Sequence, residues 1–108
     1  MHIITRKRLM QFCETYPTAR NPLGAWAKTV DSARWAKFSD VRQTWNSADW
    51  VHGEYCVFNV NSDCIVAHIH YQRDMPDGET KRGTVFIRHI FTHSEYETWS
   101  KNLKRTGR

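Results

Sequence analysis

The chain has 108 residues, 16 Lys and Arg against 11 Asp and Glu, and a formal charge of +5 with its six histidines neutral. That length suits a single domain, 1–108, and a hydrophobic content of 40% excludes a disordered chain. No apolar run approaches the roughly 20 residues of a membrane span, and residues 1–8 hold no apolar signal core, so a cytoplasmic protein without a membrane partner is expected.

His2-Ile3-Ile4 reads as a short first strand, and Thr5 as the N-cap of a helix. Leu9, Phe12, Cys13 and Tyr16 form its apolar stripe, and Pro17 marks its end. Asn21-Pro22 has the form of a second helix start, with Leu23, Trp26, Ala27 and Val30 on one face and an end near Phe38. A helical turn around 40–44 and then a loop to Gly53 are expected. Residues 55–60, 64–71 and 84–91 read as strands, the second alternating Ile65, Ala67, Ile69 and Tyr71 against Cys64, Val66, His68 and His70. The polar stretch 73–83 reads as an exposed hairpin loop. Thr92-His93-Ser94-Glu95 has the form of a capping box, followed by Tyr96, Trp99 and Leu103 on a helical stripe. Strands joined by short loops imply an antiparallel sheet, so the expected fold is α+β, with two N-terminal helices and a C-terminal helix.

Cys13, Cys56 and Cys64 match neither a disulfide scaffold nor a zinc knuckle, and reduced thiols are expected. A pI of about 9.4 points to a polyanion as partner. Arg6, Lys7 and Arg8 form one basic group, and Lys101, Lys104, Arg105 and Arg108 another. Trp26 and Trp99 fall on apolar stripes. Trp45 and Trp50 lie in loop-like sequence, where they either pack a loop on the core or stack a base.

His93, at the mouth of the last helix, Arg88 on the strand before it and Tyr96 one turn on form a candidate catalytic set. A helix N-terminus favours phosphate and a neutral imidazole. A guanidinium holds a phosphate oxygen, and a base and an acid complete what RNA cleavage by its own 2′-hydroxyl requires, with no metal or other cofactor. Each residue also has a structural reading: Tyr96 in the core, His93 and Arg88 on the surface. His68 and His70 share a strand face, with His89 near in sequence. They read as ordinary strand residues or as the lining of an RNA groove rather than as metal ligands. The proton-transfer roles stay open among His70, His89, His93 and Tyr96.

The opening Met1-His2-Ile3-Ile4-Thr5, Trp35-Ala36-Lys37-Phe38-Ser39-Asp40-Val41-Arg42, Ser47-Ala48-Asp49, Val57-Phe58-Asn59-Val60 and the segment from Ile87-Arg88-His89 to Thr92-His93-Ser94-Glu95-Tyr96 together resemble the HigB-type toxins of type II toxin–antitoxin systems, relatives of the RelE mRNA interferases. The resemblance implies a RelE-like fold and a cytoplasmic endoribonuclease that cuts mRNA, commonly on the ribosome, and so inhibits translation. It also implies a HigA-like helix-turn-helix antitoxin, with promoter DNA bound only through the toxin–antitoxin complex. The family's TH-x-EY motif falls on Thr92, His93, Glu95 and Tyr96, and its strand arginine on Arg88. Cys64 stands where the family carries a further arginine, and Arg73, Lys81 or Arg82 on the longer loop are the candidate replacements for that charge. The missing arginine leaves two function classes open: a ribonuclease of weakened activity, or a non-catalytic RNA- or ribosome-binding module. The two N-terminal helices are the candidate docking surface for the antitoxin.

Overall fold

The computed structural model describes residues 1–105. Arg108 of the C-terminal basic group lies outside the described residues. In chain order the elements are β1 (His2–Ile4), α1 (Arg6–Thr15), a 3₁₀ turn (Pro17–Ala19), α2 (Arg20–Ser32), α3 (Phe38–Thr44), β2 (Asp49–Val51), β3 (Tyr55–Val60), β4 (Asp63–His70), β5 (Arg73–Asp74), β6 (Thr80–Lys81), β7 (Thr84–Thr92) and α4 (His93–Arg105). The class is α+β, as expected. The sheet, in the order β1-β7-β4-β3-β2, is mixed rather than wholly antiparallel, because β1 runs parallel to β7. The antiparallel rule binds only strands joined by tight turns, and some 80 residues of chain separate β1 from its partner. Among the described residues no helix is long and apolar enough to cross a membrane.

Thr5 is the N-cap of α1, as expected, but makes no side-chain cap bond; it turns the corner from β1 in left-handed geometry, φ 74°. Both ends of α2 differ from expectation. Asn21 is not its cap: the 3₁₀ turn leads directly into α2 at Arg20, which places Pro22 in the first turn, where its missing N–H costs nothing. Finally, α2 stops at Ser32 rather than near Phe38. At about 100° per residue, a continued helix would place Trp35 half a turn out of phase with Trp26. The chain instead becomes extended at Ala33, and both indoles are buried.

That burial builds the main core, on the sheet face covered by α1, α2 and α3. Phe58 lies at its centre, with the Trp26 ring at 5.2 Å edge-on and the Trp35 ring stacked at 5.9 Å. A smaller cluster of Val57, Cys64 and Val66 occupies the opposite face, beneath Tyr96 and Trp99 of α4. The three cysteines are free and buried, and burial pushes the Cys56 thiol up to about 12. Trp45 packs against the main core, whereas Trp50 stays exposed beside Phe38. Between α1 and α2 an apolar groove is floored by Leu9, Cys13, Leu23 and Ala27, with Met10 exposed on its rim.

The capping box forms as written. The Thr92 backbone N–H donates to Glu95 Oε1 (2.8 Å), and the Glu95 N–H donates to Thr92 Oγ1 (3.4 Å). At Gly83 a Cβ would lie 2.6 Å from the His70 carbonyl and 2.7 Å from the Gln72 nitrogen, so only glycine lets the chain pass from the β5–β6 hairpin into β7.

Candidate active site

The site is built by an irregularity in β7. Val66 pairs with His89 and the next residue, Ala67, pairs with Ile87, so Arg88 is an extra residue bulged out of the ladder. The bulge resets the alternation of the strand. Val85, Ile87 and Ile90 all serve the main core, while Arg88 and His89, adjacent in sequence, both engage groups on the α4 face.

The β3–β4 turn sets what Arg88 meets. Asn61 takes positive φ (57°) in a two-residue connection that pairs Val60 with Asp63. Counting back along that register brings Tyr55 beside His68, and their rings stack at 4.6 Å and 18°. Arg88 Nε–H donates to His68 Nδ1 (2.9 Å), and His68 Nε2 lies 3.0 Å from Glu54 Oε1. Since the guanidinium can only donate, Nδ1 is the acceptor and Nε2 carries the proton given to Glu54. The Arg88 guanidinium also lies 5.6 Å over the Phe86 ring, and Phe86 meets His70 at 4.8 Å. On the other side Tyr55 touches Trp99 (5.1 Å), which meets His89 (5.4 Å) and His52 (5.8 Å). An unbroken stripe of imidazole, phenyl, guanidinium and indole therefore crosses the sheet beside α4.

The expected site residues divide around this stripe. Arg88, His68, His70 and His89 belong to it. His70 is exposed, and its ring nitrogens make no hydrogen bond among the described residues. His70 also lines a cleft with Arg73, Lys81 and Arg82 at one end of the sheet. Arg73 and Lys81 are exposed, but Arg82 is engaged elsewhere: it donates to the Met1 and Asp31 carbonyls (3.2 and 3.3 Å) and pairs with the Asp31 carboxylate at 3.5 Å. Lys101 and Lys104 are exposed on α4, which Arg105 ends. His93 stands five positions along the chain from Arg88, past the end of β7, on the order of 15 Å away at the strand's rise per residue. Its imidazole pairs with Glu97 at 3.0 Å. Tyr96 is half-buried over Val57, Cys64 and Val66 and touches the stripe at Trp99 (5.9 Å), and burial first, then Cys64, raises its phenol above the usual range. Cys64 is buried, and its thiol donates to Asn59 Oδ1 (3.4 Å); it offers neither a cation nor room for one. Among the described residues no group of three or more His, Cys, Asp or Glu is placed to hold a metal.

Glu54, Tyr55, Phe86 and His52 escaped the sequence reading. The one available signal was the turn at Asn61-Ser62, whose register places Tyr55 against His68.

Burial lowers the His89 imidazole below its ordinary value of 6.5, helped by the positive charges of Arg8 and Arg88 and by His68. In that pH range the unfolded chain binds a proton more readily than the folded one, so acid favours unfolding. The urea midpoint is expected to fall as pH drops through and below 6.5, and to fall less in His89→Gln; identical acid profiles for the two would contradict this.

The comparisons with known proteins agree with the resemblance. A family model described as HigB_toxin, RelE-like toxic component of a toxin-antitoxin system, matches residues 19–99. A comparison with curated proteins finds no match.

Proposed function

The chain belongs to the HigB toxin family, the RelE-like toxic component of a toxin–antitoxin system, and from that premise we propose that it is an endoribonuclease that cuts mRNA with the stripe beside α4. The observation that carries this reading is Arg88: an exposed guanidinium, tethered through Nε to His68, with the Phe86 ring 5.6 Å away and Tyr55 stacked on the His68 that holds it. Its two terminal nitrogens make no hydrogen bond among the described residues and can grip one phosphate, while Phe86, Tyr55 and the imidazoles offer flat faces to bases. The ribose O2′ loses its proton and bonds to phosphorus, the P–O5′ bond breaks, and O5′ takes up a proton. His70, exposed and joined to Arg88 through Phe86, is the proton-transfer group best placed for that phosphate, and Arg88 stabilises its developing charge. His93, just past the end of β7, and Tyr96, whose ring adjoins the stripe at Trp99, are the other two catalytic candidates and serve as comparators.

The cleft at Arg73 and Lys81 extends the phosphate path on one side, and Lys101 and Lys104 extend it on the other. Affinity for single-stranded RNA is expected to fall with salt, and Arg73→Ala/Lys81→Ala to flatten the log–log slope by about 1.4, two phosphate contacts' worth. An unchanged slope in binding titrations would remove these residues from the path.

The antitoxin in this reading is HigA-like, with a helix-turn-helix domain that carries the pair to promoter DNA. Its contact is the apolar groove between α1 and α2, on the opposite sheet face from the stripe. A second reading, a non-catalytic RNA- or ribosome-binding module, is favoured by Cys64, which supplies no charge where the family carries arginine. One experiment separates the two. Incubated with mRNA, alone and on translating ribosomes, the chain should yield fragments ending in 2′,3′-cyclic phosphate and 5′-hydroxyl. Binding without fragments in either setting establishes the module instead.

A further inference from the structure

We propose that Glu54 is a positioning residue for Arg88, acting through His68 by fixing the tautomer of that imidazole. The inference rests on the ribonuclease reading for its consequence, though its geometry stands independently. Arg88 projects from a bulge into solvent, where an arginine ordinarily samples many rotamers. Among the described residues one hydrogen bond restrains it, from Nε–H to His68 Nδ1 at 2.9 Å. That bond exists only while Nδ1 is unprotonated. The Glu54 carboxylate, 3.0 Å from Nε2, selects the tautomer in which it is, since an acceptor there holds the proton on Nε2.

The rest of the surroundings keeps this chain in place. Glu54 closes the β2–β3 turn, in which His52 and Gly53 both take positive φ (53° and 73°) and the Glu54 N–H donates to the Val51 carbonyl at 3.2 Å. The Tyr55 ring lies flat against His68 and fixes the imidazole plane. With Nε committed, the guanidinium presents the fork of its two terminal nitrogens outward, the edge that matches two phosphate oxygens. Carboxylate, imidazole and guanidinium thus form a line in which each group orients the next, and only the last touches substrate.

Three substitutions and one spectrum test this. Glu54→Ala removes the acceptor and is expected to lower kcat about fivefold with KM unchanged. Glu54→Gln keeps an acceptor oxygen and should restore kcat. Glu54→Lys places a donor at Nε2 and drives the proton to Nδ1, where it opposes the Arg88 N–H. Its kcat should fall further, although the added positive charge tightens RNA binding and lowers KM, a split that loss of folding or of bulk charge does not produce. In nitrogen-15 spectra of the full chain, His68 should be protonated at Nε2 and bare at Nδ1, and Glu54→Ala should mix the two forms. A wild-type kcat in Glu54→Lys, or a His68 spectrum indifferent to residue 54, overturns the proposal. Should the wild-type chain leave RNA uncut, the ribonuclease reading fails by itself, and the spectrum still decides whether Glu54 governs His68.

Discussion

Arg88→Ala is expected to lower RNA cleavage by about 100- to 1000-fold, the usual cost of removing a preorganised charge-stabilising donor, and to abolish growth arrest when the chain is expressed without its antitoxin. The same substitution should leave thermal unfolding within about 1 kcal/mol, since an exposed cation with one side-chain hydrogen bond contributes little to the fold. Loss of activity at unchanged stability separates chemistry from folding. Arg88→Lys should not rescue: an ammonium has all its donors on one nitrogen and lacks the planar fork that lets one edge bind His68 while two other nitrogens face a phosphate. Under the same conditions His93→Ala should retain most of the cleavage, because His93 is paired with Glu97 and lies five positions on, past the end of β7. Near-normal cleavage by Arg88→Ala would move the reaction off the stripe altogether.

The largest effect on stability is expected from Phe58→Ala, a loss of about 3–5 kcal/mol. Phe58 is fully buried between Trp26 and Trp35, and the two indoles come from α2 and from the extended segment after it. Removing the ring leaves a cavity that two rigid indoles cannot collapse to fill. Against a total of about 5–15 kcal/mol for a domain of this size, the midpoint of thermal unfolding should drop by about 15 °C or more. Met10→Ala, at a residue 68% exposed, should stay within about 0.5 kcal/mol. A Phe58→Ala chain that melts close to the parent in calorimetry would mean that the core is not organised around this ring.

What was legible in the sequence was what local rules govern. The three hairpin strands follow from alternation and β-branched content, and the last helix from a reciprocal pair of cap bonds between Thr92 and Glu95. Trp26 and Trp99 declare themselves by helical phase. The misses share one physical cause, long-range partners overriding local preference. Ala33, Ala36 and Lys37 continue a helix-like composition, yet the helix breaks because Trp35 gains more by burial against Phe58. The direction of β1 is decided by a partner at the other end of the chain. The grouping at the site was half visible. Alternation placed His68 and His70 on one face, as found, and charge singled out Arg88. The sequence set His93 beside Arg88 because a cap is visible in sequence, whereas a bulge is not. Nothing in Ile87-Arg88-His89-Ile90 announces that two consecutive side chains share a face; only the pairing with Val66 and Ala67 reveals it.

That extra residue has a consequence for how freely the reactive group can vary. Were position 88 deleted, Ile87 and His89 would become ordinary neighbours in an uninterrupted ladder, with Ile87 and Ile90 still directed inward. The guanidinium is thus carried on a link the scaffold does not need. If the proposed cleavage rests on Arg88, that chemistry can be tuned, silenced or regained at one position without renegotiating how the rest of the molecule holds itself together.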